Sequence, residues 1–168
     1  MPALNSHTNV QRVTARLTEA WAFLSGEQRR FELLDEGSDP LAFARYSFFM
    51  SLASPGHSRL GGVGVLIQAE DGMRVARHMF GIPIEQLSEA EARDACSEAC
   101  NVFADCIAKD FNTESAARFT LPRPASPEEY AGIAENSLAR TVYQGVDGKQ
   151  KLLIVLYDRL QDAPLEKE

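Results

Sequence analysis

Near the end of the chain, residues 138–145 and 149–158 read as two strands joined by Asp147-Gly148. An Asp-Gly pair between apolar runs is a strong short-range hairpin signal, because the tight turn needs backbone angles that most residues resist. A lone hairpin is marginal in water, so this one must join a larger sheet. Residues 43–53 supply a partner, with Tyr46, Phe48, Met50 and Leu52 on one face and Arg45, Ser47 and Ser51 on the other. Ser54-Pro55-Gly56 turns the chain, and Val63, Val65 and Ile67 mark the return strand, so a second hairpin spans residues 43–70. Asp71-Gly72 is expected to end it.

Helices fill the remaining periodic stretches. Val10, Val13, Leu17, Trp21 and Leu24 recur at helical spacing over residues 8–24, with Thr8 or Asn9 as cap and Gly26 as stop. Met73, Ala76, Met79 and Phe80 predict a short helix closed by Gly81 and Pro83. Ser88 and Glu91 have the spacing of a capping box and open a helix that runs to about residue 110. Residues 115–121 alternate again and end in Pro122-Arg123-Pro124. Ser126-Pro127-Glu128-Glu129 starts a brief helix, with proline in its tolerated first turn. Helices thus cluster between strand pairs instead of alternating with single strands. The fold class expected is α+β: an antiparallel or mixed sheet of about five strands, covered by helices on one face. The 168 residues suit one domain, with a frayed tail from about residue 159.

Charge narrows the function. Lys and Arg number 17 against 24 Asp and Glu, a formal charge of −7. A sequence-independent nucleic-acid binder needs a basic face, and so does a polybasic membrane surface; neither is expected here. Three Cys is an odd count with no C-x-x-C pair, which points to a reducing compartment. Residues 1–20 hold no apolar signal region, and the longest apolar run, Leu152–Tyr157, is far too short for a membrane span. The expected location is the cytoplasm.

The long helix carries the one constellation of interest. Ala92, Ala95, Cys96, Ala99, Val102, Phe103, Cys106 and Ile107 gather on one side. Opposite them, Asp94, Glu98, Asn101 and Asp105 form a row at spacings of four, three and four. By itself such a row is a solvated acidic stripe. However, Asp94-x3-Glu98-x2-Asn101 is followed by 22 residues and then Pro124. All fixed positions resemble the signature of the CheC/CheX/FliY family of chemotaxis phosphatases. Chance gives such a match on the order of a few times in a thousand chains of this length. The resemblance covers roughly residues 40–158, and one motif copy looks more like CheX than like CheC. Asp105 stands where the family commonly has Gly, which puts a side chain and a negative charge on the docking face.

The resemblance implies a fold, a substrate and roles. The substrate is the aspartyl phosphate of a CheY-like receiver domain, which brings its own Mg²⁺ and Lys. A phosphatase has to add a polar group that aims water in line with the P–O bond. An amide accepts and donates without adding negative charge, so Asn101 takes that role. Glu98 pairs with the receiver's Lys and sets the docking register. Asp94 supports the helix or rim, and Pro124 shapes the strand and loop after it. No cofactor or metal of its own is expected. The resemblance also implies a homodimer, and the apolar pattern of Leu152–Tyr157 suits edge-to-edge pairing if that strand lies at the sheet margin. The alternative is a receiver-binding or dimeric interaction module of the same fold that hydrolyses nothing; docking alone needs no amide at Asn101.

Other residues support ordinary packing. Cys96 and Cys100 lie on the apolar side without zinc-site spacing. His7, His57 and His78 are scattered, with no G-x-S-x-G elbow. Gly61-Gly62-Val63-Gly64 fits no phosphate-binding loop and marks a strand edge or a close backbone approach.

Overall fold

The computed structural model describes residues 7–34, 45–54, 57–111, 118–135, 137–147 and 150–160. Helix α1 spans His7–Ser25, α2 Ala69–Phe80, α3 Glu89–Phe111 and α4 Pro127–Glu135. The strands are β1 (Phe31–Leu33), β2 (Tyr46–Ser54), β3 (His57–Ile67), β4 (Arg118–Phe119), β5 (Arg123–Pro124), β6 (Ser137–Asp147) and β7 (Gln150–Leu160). All pair antiparallel in one sheet, in the order β1-β6-β7-β3-β2-β4, with β5 also on β2. The two expected hairpins, β2–β3 and β6–β7, meet through β3 and β7, with Gly61 opposite Asp158 and Leu66 opposite Leu153.

Among the described residues the sheet has seven strands where about five are expected. The four long ones match the sequence reading, and the surplus is short. β1 has three residues, too few to show a period. The stretch read as a strand over 115–121 is interrupted: residues 115–117 lie outside the described ones, β4 holds two residues, and β5 resumes at Arg123. Thr120 bridges the gap. Its N–H donates to the Ser51 carbonyl at 2.8 Å, and its Oγ1 accepts the Ser51 N–H at 3.0 Å. Pro122 has no N–H to continue the ladder.

Helices lie on both faces, not on one. The larger core joins α1, α2 and α3 to Tyr46, Phe48, Met50, Val63, Val65, Ile67, Ile154 and Leu156. The opposite face buries Phe49, Leu66, Leu153, Val155 and Tyr157 against Ala125, which precedes α4, and Tyr130 in its first turn. The cause is visible in the central strands, where neighbours such as Phe48 and Phe49, or Ile154 and Val155, are all apolar and point to opposite faces. Gly64 makes room for α4: a Cβ there would stand 2.5 Å from Tyr130 Cε1. The tyrosine hydroxyl donates to the Phe48 carbonyl.

Asp71-Gly72 does not end the hairpin as a turn. α2 already begins at Ala69, and both residues are buried in its first turn. Asp71 accepts two hydrogen bonds from Arg29, at 2.8 and 3.0 Å, and a Cβ on Gly72 would stand 2.5 Å from Tyr46 Cε2. Packing, not turn geometry, requires these two residue types. The helix stops are as expected: Gly26 and Gly81 have φ of 75° and 69°, and their N–H groups cap the Ala22 and Arg77 carbonyls.

Candidate active site

Helix α3 is fixed at its start by a complete capping box. The Ser88 N–H donates to Glu91 Oε1 at 2.9 Å, and the Glu91 N–H donates to Ser88 Oγ at 3.1 Å. Arg45, at the foot of β2, donates to Glu89 at 3.0 Å, and the Arg93 guanidinium lies 5.3 Å from the centre of the Tyr46 ring. The Arg45 bond holds the Glu89 carboxyl below its ordinary value, and burial raises the Tyr46 phenol. Facing the sheet, Ala92, Ala95, Cys96, Ala99, Cys100, Phe103 and Ala104 are all buried. Mostly small side chains let the helix lie close to the strands, and together they fix its rotation.

That rotation turns the row outward. Asp94, Glu98 and Asp105 are exposed, and Asn101 is half-buried. Asn101 Nδ2 donates to Glu98 Oε1 at 3.3 Å. The two residues singled out for chemistry are therefore brought together. Glu98 steadies the amide through its nitrogen, and Asn101 Oδ1 takes no part in that contact. Asp94 is one turn back, about 6 Å along the axis.

Pro124 is in the sheet rather than on the helix that carries the row. It pairs with Phe48, and antiparallel partners point to the same face. Phe48 belongs to the core beneath α3, so Pro124 marks the margin of that same face. Arg123 beside it turns to the other face, 5.6 Å from the Phe49 ring centre and 2.8 Å from Glu129.

Beyond Asn101 the row borders a groove between α1 and α3. It has a volume of about 380 Å³ and is lined by Arg16, Glu19, Val102, Asp105 and Cys106. Arg16 and Glu19 are not singled out by the sequence, where α1 is legible only through its buried stripe. Arg16 reaches the Cys106 carbonyl, at 3.4 Å, and ties the helices together.

The cysteines are core residues at two of three positions. Burial pushes the Cys96 thiol up to about 12 and the Cys100 thiol well above its ordinary value. Cys106 is half-buried. His78 is exposed on α2, and the side chains of His7 and His57 lie outside the described ones. Strand β7 lies between β6 and β3, so Leu152–Tyr157 is interior to the sheet and cannot pair with a second copy as a margin strand. Its unbroken apolar run is that of a central strand buried on both faces. Among the described residues, no helix is long and apolar enough to cross a membrane.

No protein-family model matches the chain, and no curated protein matches it. Solved structures do. The chemotaxis protein CheX from Desulfovibrio desulfuricans is similar with a TM-score of 0.61 at 10% identity, over 89% of this chain and 98% of that one. The CheX-CheY-BeF3-Mg²⁺ complex from Borrelia burgdorferi contains a chain similar at a TM-score of 0.63 and 12% identity, over 89% and 97%. A chemotactic CheC-like protein from Shewanella oneidensis MR-1 gives 0.58 and 12%, over 92% and 97%. The fold is therefore the α+β fold of the CheX and CheC-like chemotaxis proteins, as the motif resemblance implies.

Proposed function

We propose that this chain is a CheX-like phosphatase acting on the aspartyl phosphate of a CheY-like receiver domain, in chemotaxis or related two-component signalling. The observation that supports it is the Glu98–Asn101 contact on the outward face of a helix whose start and rotation are both fixed. Asn101 Oδ1 accepts a hydrogen bond from water and aims it at phosphorus. The water oxygen forms a new P–O bond as the P–O bond to the receiver's aspartyl oxygen breaks; the aspartate is restored as a carboxylate in the receiver, and the water's protons leave with inorganic phosphate. The amide cannot take the proton as a base, so its contribution is orientation. Glu98 has two tasks: one oxygen holds the amide, and the other meets the receiver's Lys. Mg²⁺ belongs to the receiver, and this chain needs no cofactor of its own. It works in the cytoplasm as a homodimer, with β7 excluded as the pairing strand.

The fold match to a protein crystallised with CheY and BeF3 is consistent with a receiver as partner. One observation favours the binding-module reading. Asp105 is exposed one turn beyond Asn101, where its charge repels phosphoryl oxygens. A single experiment separates the two. Purified receiver domains are phosphorylated with acetyl phosphate and Mg²⁺, and their decay is followed with substoichiometric protein. The parent should speed decay, and folded Asn101→Ala should lose on the order of 10²-fold. Receiver binding without faster decay would establish the module; equal rates for Asn101→Ala would remove the water-aiming role.

A further inference from the structure

We infer that the groove between α1 and α3 is a second contact for the receiver and takes one of its cationic side chains, Lys or Arg, between Glu19 and Asp105; this rests on the phosphatase reading above. Position is the first ground. Asp105 follows Asn101 by one turn, about 6 Å along the axis and about 40° around it. A receiver seated on the Asn101 amide therefore also covers Asp105 and the mouth of the groove.

Chemistry is the second ground. The groove's 380 Å³ has room for a long side chain, and its walls are of two kinds. Val102 and Cys106 are half-buried and suit an alkyl stem. Glu19 on α1 and Asp105 on α3 are exposed and place a carboxylate on each wall. Among the described lining residues one carries a guanidinium, Arg16, and it reaches the Cys106 carbonyl. An amphipathic cation fits this arrangement, with its stem along the apolar wall and its head between two acids. Two carboxylates against the one Arg16 guanidinium leave the described lining net negative, and a cation offsets that excess where a neutral or acidic side chain would not.

The third ground is the substrate's charge. An unneutralised Asp105 would oppose phosphoryl oxygens bound one turn away. A receiver cation in the groove removes that opposition, so the same residue that blocks a wrong partner holds the right one. Discrimination among receivers then lies on α1 and the end of α3, apart from the residues that aim water.

The test uses the full chain and receiver domains phosphorylated with acetyl phosphate and Mg²⁺. Glu19→Gln/Asp105→Asn should raise KM about 10-fold, with kcat within about twofold, because charge-assisted docking contacts are lost while Glu98 and Asn101 stay. Glu19→Lys should raise KM further. The second readout is alkylation of Cys106 by iodoacetamide, followed by mass spectrometry, with buried Cys96 and Cys100 as internal controls. Beryllofluoride-loaded receiver should slow it at least about fivefold, as a filled groove excludes the reagent. Unchanged KM in the double variant, or Cys106 alkylated in the complex at its free rate, would overturn the groove contact and leave the phosphatase reading standing. Faster turnover by Asp105→Asn alone would also overturn it, since the carboxylate would then only obstruct. If no receiver is bound or dephosphorylated by the parent, the phosphatase reading fails and the groove contact with it.

Discussion

Removing the Asp71 carboxylate should cost the fold more than any change on the outward row of α3. Arg29 and Asp71 form a two-pronged ion pair with side-chain exposures of 1% and 0%. The Arg29 guanidinium also lies 4.6 Å from the centre of the Trp21 ring, so it joins the loop after α1 to α1 itself and to α2. Asp71→Ala takes both Asp71 hydrogen bonds and their negative charge away from that buried guanidinium. Breaking a buried pair from one side costs about 3–5 kcal/mol, a large share of the roughly 5–15 kcal/mol that holds a domain folded. For a chain of this size each kcal/mol moves Tm by about 2–4 °C, so the fall should be about 6–20 °C. Arg29→Met should cost less, because Arg74 Nη1 remains 3.5 Å from the Asp71 carboxylate. Arg29→Met/Asp71→Leu removes both charges and should lose clearly less than the two single losses added together. Thermal and urea unfolding followed by circular dichroism measures all three. A fall under about 2 °C for Asp71→Ala, or strict additivity in the double variant, would refute the buried-pair account.

Four further outcomes are expected. Gly64→Ala drives a methyl into the Tyr130 ring and should lose about 1–3 kcal/mol by overpacking; unchanged Tm would mean α4 is not packed as described. Cys96 and Cys100 should resist Ellman's reagent in the native protein at pH 8, since burial keeps their thiols protonated; three fast-reacting thiols would contradict that burial. The Glu129 carboxyl is held low by its hydrogen bond from Arg123 and by the Ser126 N–H. Its contribution is present above the ordinary glutamate pKa and lost as pH falls through the lowered value, so an NMR titration midpoint at or above about 4.3 would refute the cap. Light scattering should give twice the 18.5 kDa of one chain, and a monomer at tens of micromolar, on the order of 10⁻⁵ M, would exclude an ordinary dimer interface.

What the sequence made legible follows from the range of the interactions involved. The capping box of α3 joins Ser88 to Glu91, three residues away, so its signature can be read directly. The row of Asp94, Glu98, Asn101 and Asp105 is equally local, because helical geometry alone puts those spacings on one face. Arg29 and Asp71 are 42 residues apart, and nothing near either announces the other. Read locally, Asp71-Gly72 looks like a turn; only the Arg29 side chain and the Tyr46 ring explain both residues. The second core was hidden for a related reason. Phe49, Leu66 and Val155 occupy positions that alternation assigns to the outside, and only the placement of Tyr130 shows what covers them. The groove needs two helices far apart in the chain, so Glu19 carries no local sign of facing Asp105.

The placement of the candidate site has a physical logic that bears on its chemistry. A residue that aims water must itself be held still, because a displacement of about 1 Å can cost on the order of 10²-fold in rate. Loops seldom give that precision to an exposed side chain. Here the amide of Asn101 stands on a helix packed on the sheet through small residues, tied at its start by Ser88, Glu91, Arg45 and Glu89, and near its far end by Arg16 of α1. The remaining freedom is rotation of the side chain, and the Glu98 contact limits it. Glu98→Gln would keep a carbonyl oxygen for that contact but remove the charge. Amide orientation should survive it, and affinity for a receiver's Lys should fall. Glu98→Ala removes both the contact and the charge and should lower kcat as well as affinity. If the two variants have the same kcat, Glu98 acts on the partner alone and the intramolecular hydrogen bond has no part in positioning the amide.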